Sequence, residues 1–156
     1  MSEPNSRLQD LVSSVRSQGH RLTPQRMAVL TILAESHAHP SAQEIYQQVK
    51  QDFPMTSLAT VYKTITMLKE MGEVLELKFC DDCSRYDARN PIPHPHLVCV
   101  CCKKIVDCEC DALEDLTRQV VEQSGYKMLG HRLDLLCLCP DCQRMHLSGA
   151  SNLRDQ

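Results

Sequence analysis

Two Cys-x-x-Cys pairs most strongly constrain how this chain of 156 residues can fold. The first motif contains Cys99 and Cys102, and the second contains Cys139 and Cys142. One predicted strand-helix-strand unit separates the two motifs. Zinc prefers four soft ligands in a tetrahedron, and each pair supplies two thiolates from one tight turn. A redox pair is the other interpretation, but redox motifs of this kind usually stand singly at a helix N-terminus. We therefore predict a structural zinc site formed by all four thiols.

Six further cysteines have no such obvious arrangement. They could form a second zinc or thiol site, or they could be small buried or spare residues. The segment before residue 11 lacks the apolar core of a signal peptide, and no apolar run approaches membrane-spanning length. We thus expect a cytoplasmic protein that uses cysteine for metal binding or redox chemistry rather than for a disulfide framework. The six are Cys80, Cys83, Cys101, Cys108, Cys110 and Cys137.

Residues 1 to about 71 show the apolar periodicity of four helices. Capping residues predict where three of them begin. Thr23 precedes a proline, Ser41 forms a capping box with Glu44, and Ser57 or the residue before it caps the fourth helix. Alternating apolar residues in 73–79 then predict the first strand of a β-hairpin. Helices followed by a hairpin predict a winged helix-turn-helix.

The second half of the chain has the pattern of a mixed strand-and-helix domain. A proline-rich connector is followed by predicted strands near 96–100, 104–109 and 127–138 and an amphipathic helix near 111–124. Cys108 and Cys110 would share one face of the second of these strands. The predicted fold class is therefore α+β. The predicted limits are a winged-helix domain at 1–88, a hinge at 89–95, an α/β zinc domain at 96–145 and a flexible tail at 146–156.

The net charge of −3 does not by itself indicate a nucleic-acid partner. Two stretches are nevertheless basic: residues 11–34 contain three arginines, residues 55–69 contain two lysines, and neither stretch contains an acid. Such stretches can form a local phosphate-binding face on an acidic protein. Solvated helix faces are the other interpretation.

Histidines and aspartates suggest a second, harder metal site. His94-Pro95-His96 puts two imidazoles on one face of an extended segment. Asp87 closes the hairpin, Asp107 ends a predicted strand, and His39 precedes the third helix. Imidazole and carboxylate ligands together suit Fe(II), Mn(II) or Zn(II). Spacing alone does not decide whether the five residues converge.

These motifs, in this order, resemble those of the ferric uptake regulator (Fur) family over almost the whole chain. The matching segments are Arg21-Leu22-Thr23-Pro24-Gln25-Arg26, His39-Pro40, Ser57-Leu58-Ala59-Thr60-Val61-Tyr62-Lys63, Ser84-Arg85-Tyr86-Asp87, His94-x-His96, Cys99-x-x-Cys102-x-Lys104-Ile105-Val106-Asp107, His131-Arg132-Leu133 and Cys139-x-x-Cys142.

The resemblance implies an N-terminal winged helix that binds DNA and a C-terminal α/β domain that forms a homodimer. It implies a structural Zn(II) ion held by Cys99, Cys102, Cys139 and Cys142. It further implies a regulatory Fe(II) or Mn(II) ion held by His39, Asp87, His94, His96 and Asp107.

Two aspartates distinguish branches of the family. Iron-uptake members typically carry glutamate at the positions of Asp87 and Asp107, whereas peroxide-sensing members typically carry aspartate, as here. In the latter, bound Fe(II) reacts with peroxide and oxidises the histidines that match His39 and His94, and the repressor leaves DNA. The resemblance therefore predicts a peroxide-sensing repressor, with control of iron or other metal uptake as the alternative.

The chain departs from the family at a third site that many iron sensors carry. Glu114 and His131 match two of its ligands, but Pro93 and Pro95 replace the other two. We predict that this third site is absent. The extra cysteines also exceed the usual pattern and leave thiol-based sensing open.

On DNA, basic side chains should mainly contact phosphates, whereas Ser57, Thr60 and Tyr62 could reach base edges of a palindromic operator. Tyr62 could instead pack in the core. The predicted phosphate contacts are Arg16, Arg21, Arg26 and Lys63. Rival classes are a zinc-ribbon thiol redox protein that uses Cys80-x-x-Cys83 and a purely structural zinc adaptor. We see no nucleophilic triad or phosphate loop and do not predict an enzyme.

Overall fold

A computed structural model describes residues 4–78 and 83–150 of the chain. The chain divides into two compact units, which we call the N-terminal unit (Met1–Ile92) and the C-terminal unit (Pro93–Gln156). This division falls inside the stretch predicted as a hinge. None of the described helices has both the length and the apolar character needed to cross a bilayer.

The N-terminal unit begins with the four predicted helices. Capping explains three of their starts: Thr23 and Ser57 each accept a hydrogen bond from the third residue of the following helix, and Ser41 forms the full capping box with Glu44. The helices pack around one apolar core that includes Leu30, Ile45, Ile65 and Leu68. Their bounds are α1 Pro4–Ser17, α2 Pro24–Glu35, α3 Ala42–Asp52 and α4 Leu58–Glu70.

A two-stranded hairpin completes this unit. Strands β1 (Leu75–Lys78) and β2 (Ser84–Asp87) pair antiparallel, with Leu75 opposite Asp87. Helices followed by this hairpin form the predicted winged helix. Residues 79–82, which include Cys80, lie outside the described residues, and the Cys80-x-x-Cys83 prediction falls on them.

The C-terminal unit contains strands β3 (His96–Cys99), β4 (Ile105–Asp107) and β5 (Asp134–Cys137). They form a three-stranded sheet in the order β4-β3-β5. The central strand pairs antiparallel with β4 and parallel with β5, so that His96 is in register with both Asp107 and Asp134. Helix α5 (Asp111–Ser124) connects β4 to β5 and is followed by Gly125, which caps it in the left-handed conformation. Helix α6 (Pro140–Ala150) follows β5.

Three sequence expectations differ from the observed elements here. The strand expected over 127–138 is limited to Asp134–Cys137, where pairing with β3 supplies its hydrogen bonds. The strand expected over 104–109 ends at Asp107, so Cys108 and Cys110 do not share a strand face. Helix α6 extends through Ala150, where sequence analysis expected a tail from residue 146. Pro140 at its first position favours this start.

Candidate metal centres and DNA-binding surface

The four cysteines of the two Cys-x-x-Cys pairs lie together in the C-terminal unit. Cys99 ends β3, Cys102 follows in the next turn, and Cys139 and Cys142 flank the start of α6. Their Sγ atoms all lie within 4.8 Å of one another. The Sγ atoms of Cys102 and Cys139 are 3.7 Å apart, close to the edge of about 3.8 Å that a tetrahedron with Zn–S bonds of ~2.3 Å would have. The group therefore fits a zinc ion.

The four thiols differ in how easily they lose a proton. The backbone amides of Cys139 and Cys102 lower the pKa of Cys99 to about 6, and the Cys139 amide donates to Cys99 Sγ at 3.3 Å. The neighbouring thiol of Cys139 and burial raise the pKa of Cys142. One thiolate thus forms readily, whereas four cannot form side by side without a compensating cation. A divalent ion supplies that charge.

The other described cysteines do not form a comparable group. Cys83, Cys101 and Cys110 are exposed, whereas Cys108 and Cys137 are partly buried. The Cys137 thiol donates to the carbonyl of Val98. Within residues 4–78 and 83–150, none of these five belongs to a cluster of three or more potential ligands. Spare or partly buried residues are therefore the better interpretation for them.

In the N-terminal unit, His39 and Asp87 face each other. Both side chains are buried, and His39 Nε2 lies 3.4 Å from Asp87 Oδ2. The turn that carries His39 is held against β2, because Arg85 Nε donates to the His39 carbonyl at 2.6 Å and the Tyr86 amide donates to the Pro40 carbonyl. The histidine adopts a left-handed backbone with φ +51°. Such strain in a non-glycine residue is typical of functional sites.

The carboxylate of Asp87 is oriented by its own loop. Its Oδ1 accepts hydrogen bonds from the amides of Arg89 at 2.8 Å and Asn90 at 3.1 Å, while Oδ2 faces His39. Burial raises the pKa of Asp87, but the His39 imidazole and the two amides outweigh it, so the pKa lies below its ordinary value. The group is therefore a carboxylate near neutral pH, as a metal ligand must be.

In the C-terminal unit, His94, His96 and Asp107 form a second group. Asp107 Oδ1 lies 3.2 Å from His94 Nε2 and 3.7 Å from His96 Nε2. The two imidazole centroids are 4.4 Å apart. Donor atoms about 3 Å apart suit an ion with bonds of ~2.1 Å, so the trio fits a transition metal.

The surface around α4 contains most of the predicted DNA contacts. Tyr62 is 40% exposed, and its hydroxyl accepts a hydrogen bond from Gln43, so it points away from the core. Ser57 and Thr60 hydrogen-bond to each other at the start of the helix. A concave surface beside them, which we call the basic surface, is lined by Arg21, Thr23, Gln25, Arg26, Met55, Thr56, Thr60 and Lys63. Arg16 is exposed on α1 and does not line it.

Comparison with known proteins identifies the family. The sequence profile of the ferric uptake regulator family matches residues 17–136. The chain belongs to the ferric uptake regulator family. A peroxide-responsive repressor, PerR, of Staphylococcus saprophyticus is 40% identical over 87% of this chain and 91% of its own length. The PerR of Staphylococcus aureus is 39% identical over the same shares. Members of this family are transcriptional repressors.

Solved structures agree with the predicted fold class. The Helicobacter pylori ferric uptake regulator Fur, described as having three functional metal-binding sites, matches with a TM-score of 0.77 at 26% identity and covers 91% of this chain and 95% of its own. PerR from Streptococcus pyogenes matches with a TM-score of 0.50 at 34% identity, over 87% of this chain and 92% of its own. The family's two-domain architecture, a winged helix followed by a dimerisation domain, is thereby confirmed.

The two residues that match ligands of the third site lie outside both described groups of potential metal ligands. Glu114 is exposed on α5, and neither it nor His131 belongs to a described cluster of potential ligands. Pro93 and Pro95 offer no ligand atoms in their side chains. Asp134, which lies beside His96, was not among the predicted site residues. Strand alternation was the signal that could have indicated it. Thr56, predicted only as a possible helix cap, also lines the basic surface.

Proposed function

We propose that this member of the ferric uptake regulator family is a metal-dependent, DNA-binding transcriptional repressor that senses peroxide through a regulatory Fe(II) or Mn(II) site. The observation that carries the proposal is that both carboxylates of the candidate regulatory ligands are aspartates, each facing histidine nitrogens. The similarity of about 40% to two peroxide-responsive repressors supports the same branch.

A structural zinc ion is the first metal of the proposal. Cys99, Cys102, Cys139 and Cys142 would be its ligands, since their sulfur spacing fits a tetrahedron and four closely spaced thiolates need a cation. The ion would join the end of β3 to the start of α6. Its role is to hold the C-terminal unit in shape rather than to respond to a signal.

The regulatory ion is the second metal. We assign it to His39 and Asp87 of the N-terminal unit together with His94, His96 and Asp107 of the C-terminal unit. An ion that takes ligands from both units stabilises one arrangement of those units over others, which is the differential binding that allostery requires. When bound, Fe(II) would supply the one-electron chemistry with peroxide. His39 and His94 would be the side chains that gain oxygen and lose their capacity as ligands.

The DNA-binding role is assigned to the basic surface and to α4. Arg16, Arg21, Arg26 and Lys63 would contact phosphates. Ser57, Thr60 and Tyr62 would approach base edges. A homodimer carries two such surfaces, which would suit a palindromic operator on double-stranded DNA.

Control of iron or other metal uptake is the second candidate function. It is favoured by the similarity to the Helicobacter pylori Fur. The two candidates differ in the expected response to peroxide, because only a peroxide sensor must lose DNA when its Fe(II) form is oxidised. Family membership disfavours the zinc-ribbon redox alternative, whose Cys83 is exposed and belongs to no described ligand cluster.

The test uses the whole chain with its zinc bound. The DNA is a duplex that the protein has selected from a random pool. DNA binding is measured with Fe(II) or with Mn(II), before and after peroxide. We expect both ions to support binding and peroxide to abolish it only for the Fe(II) form. Mass spectrometry should then show one added oxygen on the peptide that contains His39 or His94. Intact binding and unmodified peptides after peroxide would instead support metal-uptake control.

A separate substitution tests the proposed contact between Lys63 and a DNA phosphate. Lys63→Ala removes one phosphate contact, so the slope of log binding constant against log salt should decrease by about one unit for every duplex. Lys50→Ala is the matched control, because Lys50 is exposed on α3 and does not line the basic surface. An unchanged slope for Lys63→Ala would exclude the phosphate role.

A further inference from the structure

Asp134 lies beside the candidate regulatory site but is not one of its assigned ligands. It is the first residue of β5, directly in register with His96 on β3. His96 is also in register with Asp107 on β4. Residues in register on neighbouring strands project to the same face of a sheet. The sheet therefore presents a row of carboxylate, imidazole and carboxylate.

The two nitrogens of His96 face different carboxylates. Nε2 is 3.7 Å from Asp107 Oδ1, on the side of His94. Nδ1 is 3.7 Å from Asp134 Oδ1. The His96 side chain is 2% exposed and that of Asp134 is 17% exposed, so water screens this pair only weakly. The sheet thus holds one nitrogen toward the metal ligands and the other toward a carboxylate.

Asp134 is itself held in place. Its Oδ2 accepts a hydrogen bond from Arg132 Nε at 2.5 Å, which leaves Oδ1 directed at the imidazole. The His96 amide donates to the carbonyl of Leu133 at 3.0 Å, so the two backbones are joined at this point. Both ends of the contact between His96 and Asp134 are therefore restrained.

We propose that Asp134 is a positioning residue for the regulatory metal site, an inference that rests on the function proposed above. Its carboxylate favours the tautomer of His96 that carries hydrogen on Nδ1, because the negative oxygen attracts that hydrogen. Nε2 then keeps its lone pair for the ion. A carboxylate behind a ligating histidine raises the basicity of the ligand and fixes the orientation of its ring.

Two substitutions and one control test whether Asp134 affects Mn(II) binding. All are made in the whole chain with its zinc bound. Asp134→Leu removes the acceptor and should weaken Mn(II) binding about 10- to 100-fold. Asp134→Asn retains an oxygen acceptor without the charge, so its loss should be smaller. Asp115→Asn, on the exposed face of α5 beside Arg118, should bind Mn(II) like the parent protein. Zinc content and melting temperature of the Mn(II)-free protein should stay unchanged in all three.

A second measurement reads His96 without any regulatory ion. Nitrogen-15 NMR in alkaline buffer should find a larger share of hydrogen on Nδ1 of His96 in the parent protein than in Asp134→Leu, where only Asp107 still attracts the hydrogen, and to Nε2. The same distribution of hydrogen in both proteins would overturn the inference, as would Mn(II) affinity that is unchanged or that falls only in step with zinc content. If the parent protein binds no Mn(II) but shows the expected tautomer shift, the proposed function fails while the role of Asp134 in orienting His96 stands.

Discussion

The two units of this protein are built on different sources of stability. The N-terminal unit packs all four of its helices and its hairpin around one apolar core. In the described part of the C-terminal unit, the buried apolar side chains other than Pro95 are Val98, Cys99, Ile105 and Cys142, and two of these are thiols of the candidate zinc group. Helix α5 of the same unit has no buried residue.

This difference has a physical consequence for how each unit depends on its surroundings. An apolar core is internal to the chain and needs nothing else. A sheet and helix with so few buried side chains need a metal ion, a partner subunit or both to offset the entropy of folding. The N-terminal unit should therefore fold by itself, whereas the C-terminal unit should depend on zinc and on a second copy of the chain.

Of the changes considered, removal of zinc should lower the stability of the protein most. A strong chelator, or Cys142→Ser, should unfold the C-terminal unit, because structural zinc contributes about 10–16 kcal/mol in small zinc-dependent domains. Hydrogen exchange should show that protection is lost in β3, β4 and β5 but kept in α2 to α4. Cys83→Ser, at an exposed thiol outside the group, is the control. Equal loss of protection in both units would contradict the claim that only the C-terminal unit depends on zinc.

A cavity in the core of the N-terminal unit should have the second-largest effect on stability. Ile65 is 1% exposed in that core, and Ile65→Ala should lower the free energy of unfolding of the N-terminal unit by about 2–5 kcal/mol. Denaturant unfolding followed by a probe in each unit should show the change only in the first. Met55→Ala serves as control, since Met55 is 96% exposed. A similar shift in the C-terminal unit would mean that the two units unfold together.

The exposed apolar face of α5 should affect pairing rather than folding of the subunit. Leu116 and Val120 are 56% and 55% exposed, one turn apart. A charge at either position, as in Leu116→Glu or Val120→Glu, should raise the dimer dissociation constant at least tenfold, or about 1.4 kcal/mol. Analytical ultracentrifugation measures this, with Arg118→Glu, on the opposite side of the same helix and exposed, as the control. Unchanged dimers would place the pairing surface elsewhere.

The smallest expected effect concerns the capping box of α3. Ser41 Oγ accepts from the Glu44 amide at 3.2 Å, and the Ser41 amide donates to Glu44 Oε2 at 2.7 Å. Ser41→Ala should lower the stability of the N-terminal unit by about 1 kcal/mol, measured by urea unfolding. Ser13→Ala, at an exposed position within α1, should change it by much less. A loss equal to that of Ile65→Ala would show that Ser41 does more than cap the helix.

Local chemistry explains which parts of the fold could be predicted. Caps such as Ser41 and Thr23 act within one helical turn, so the sequence around them is enough to predict where α2 and α3 begin. The α5 bounds follow from apolar periodicity in the same way. By contrast, the long strand expected to end near 138 was wrong over most of its length, because strand formation depends on a pairing partner elsewhere in the chain.

The sequence alone determined the types of ligand and the pairs that supply them. Two Cys-x-x-Cys turns predict zinc, and His-x-His with nearby aspartates predicts a harder ion, because these preferences belong to the atoms themselves. Only the tertiary structure decided which groups face each other: the four sulfurs at one end of β3, Asp107 opposite His96, and Asp134 behind it. Strand register sets those contacts, and register is a property of paired strands rather than of any one segment.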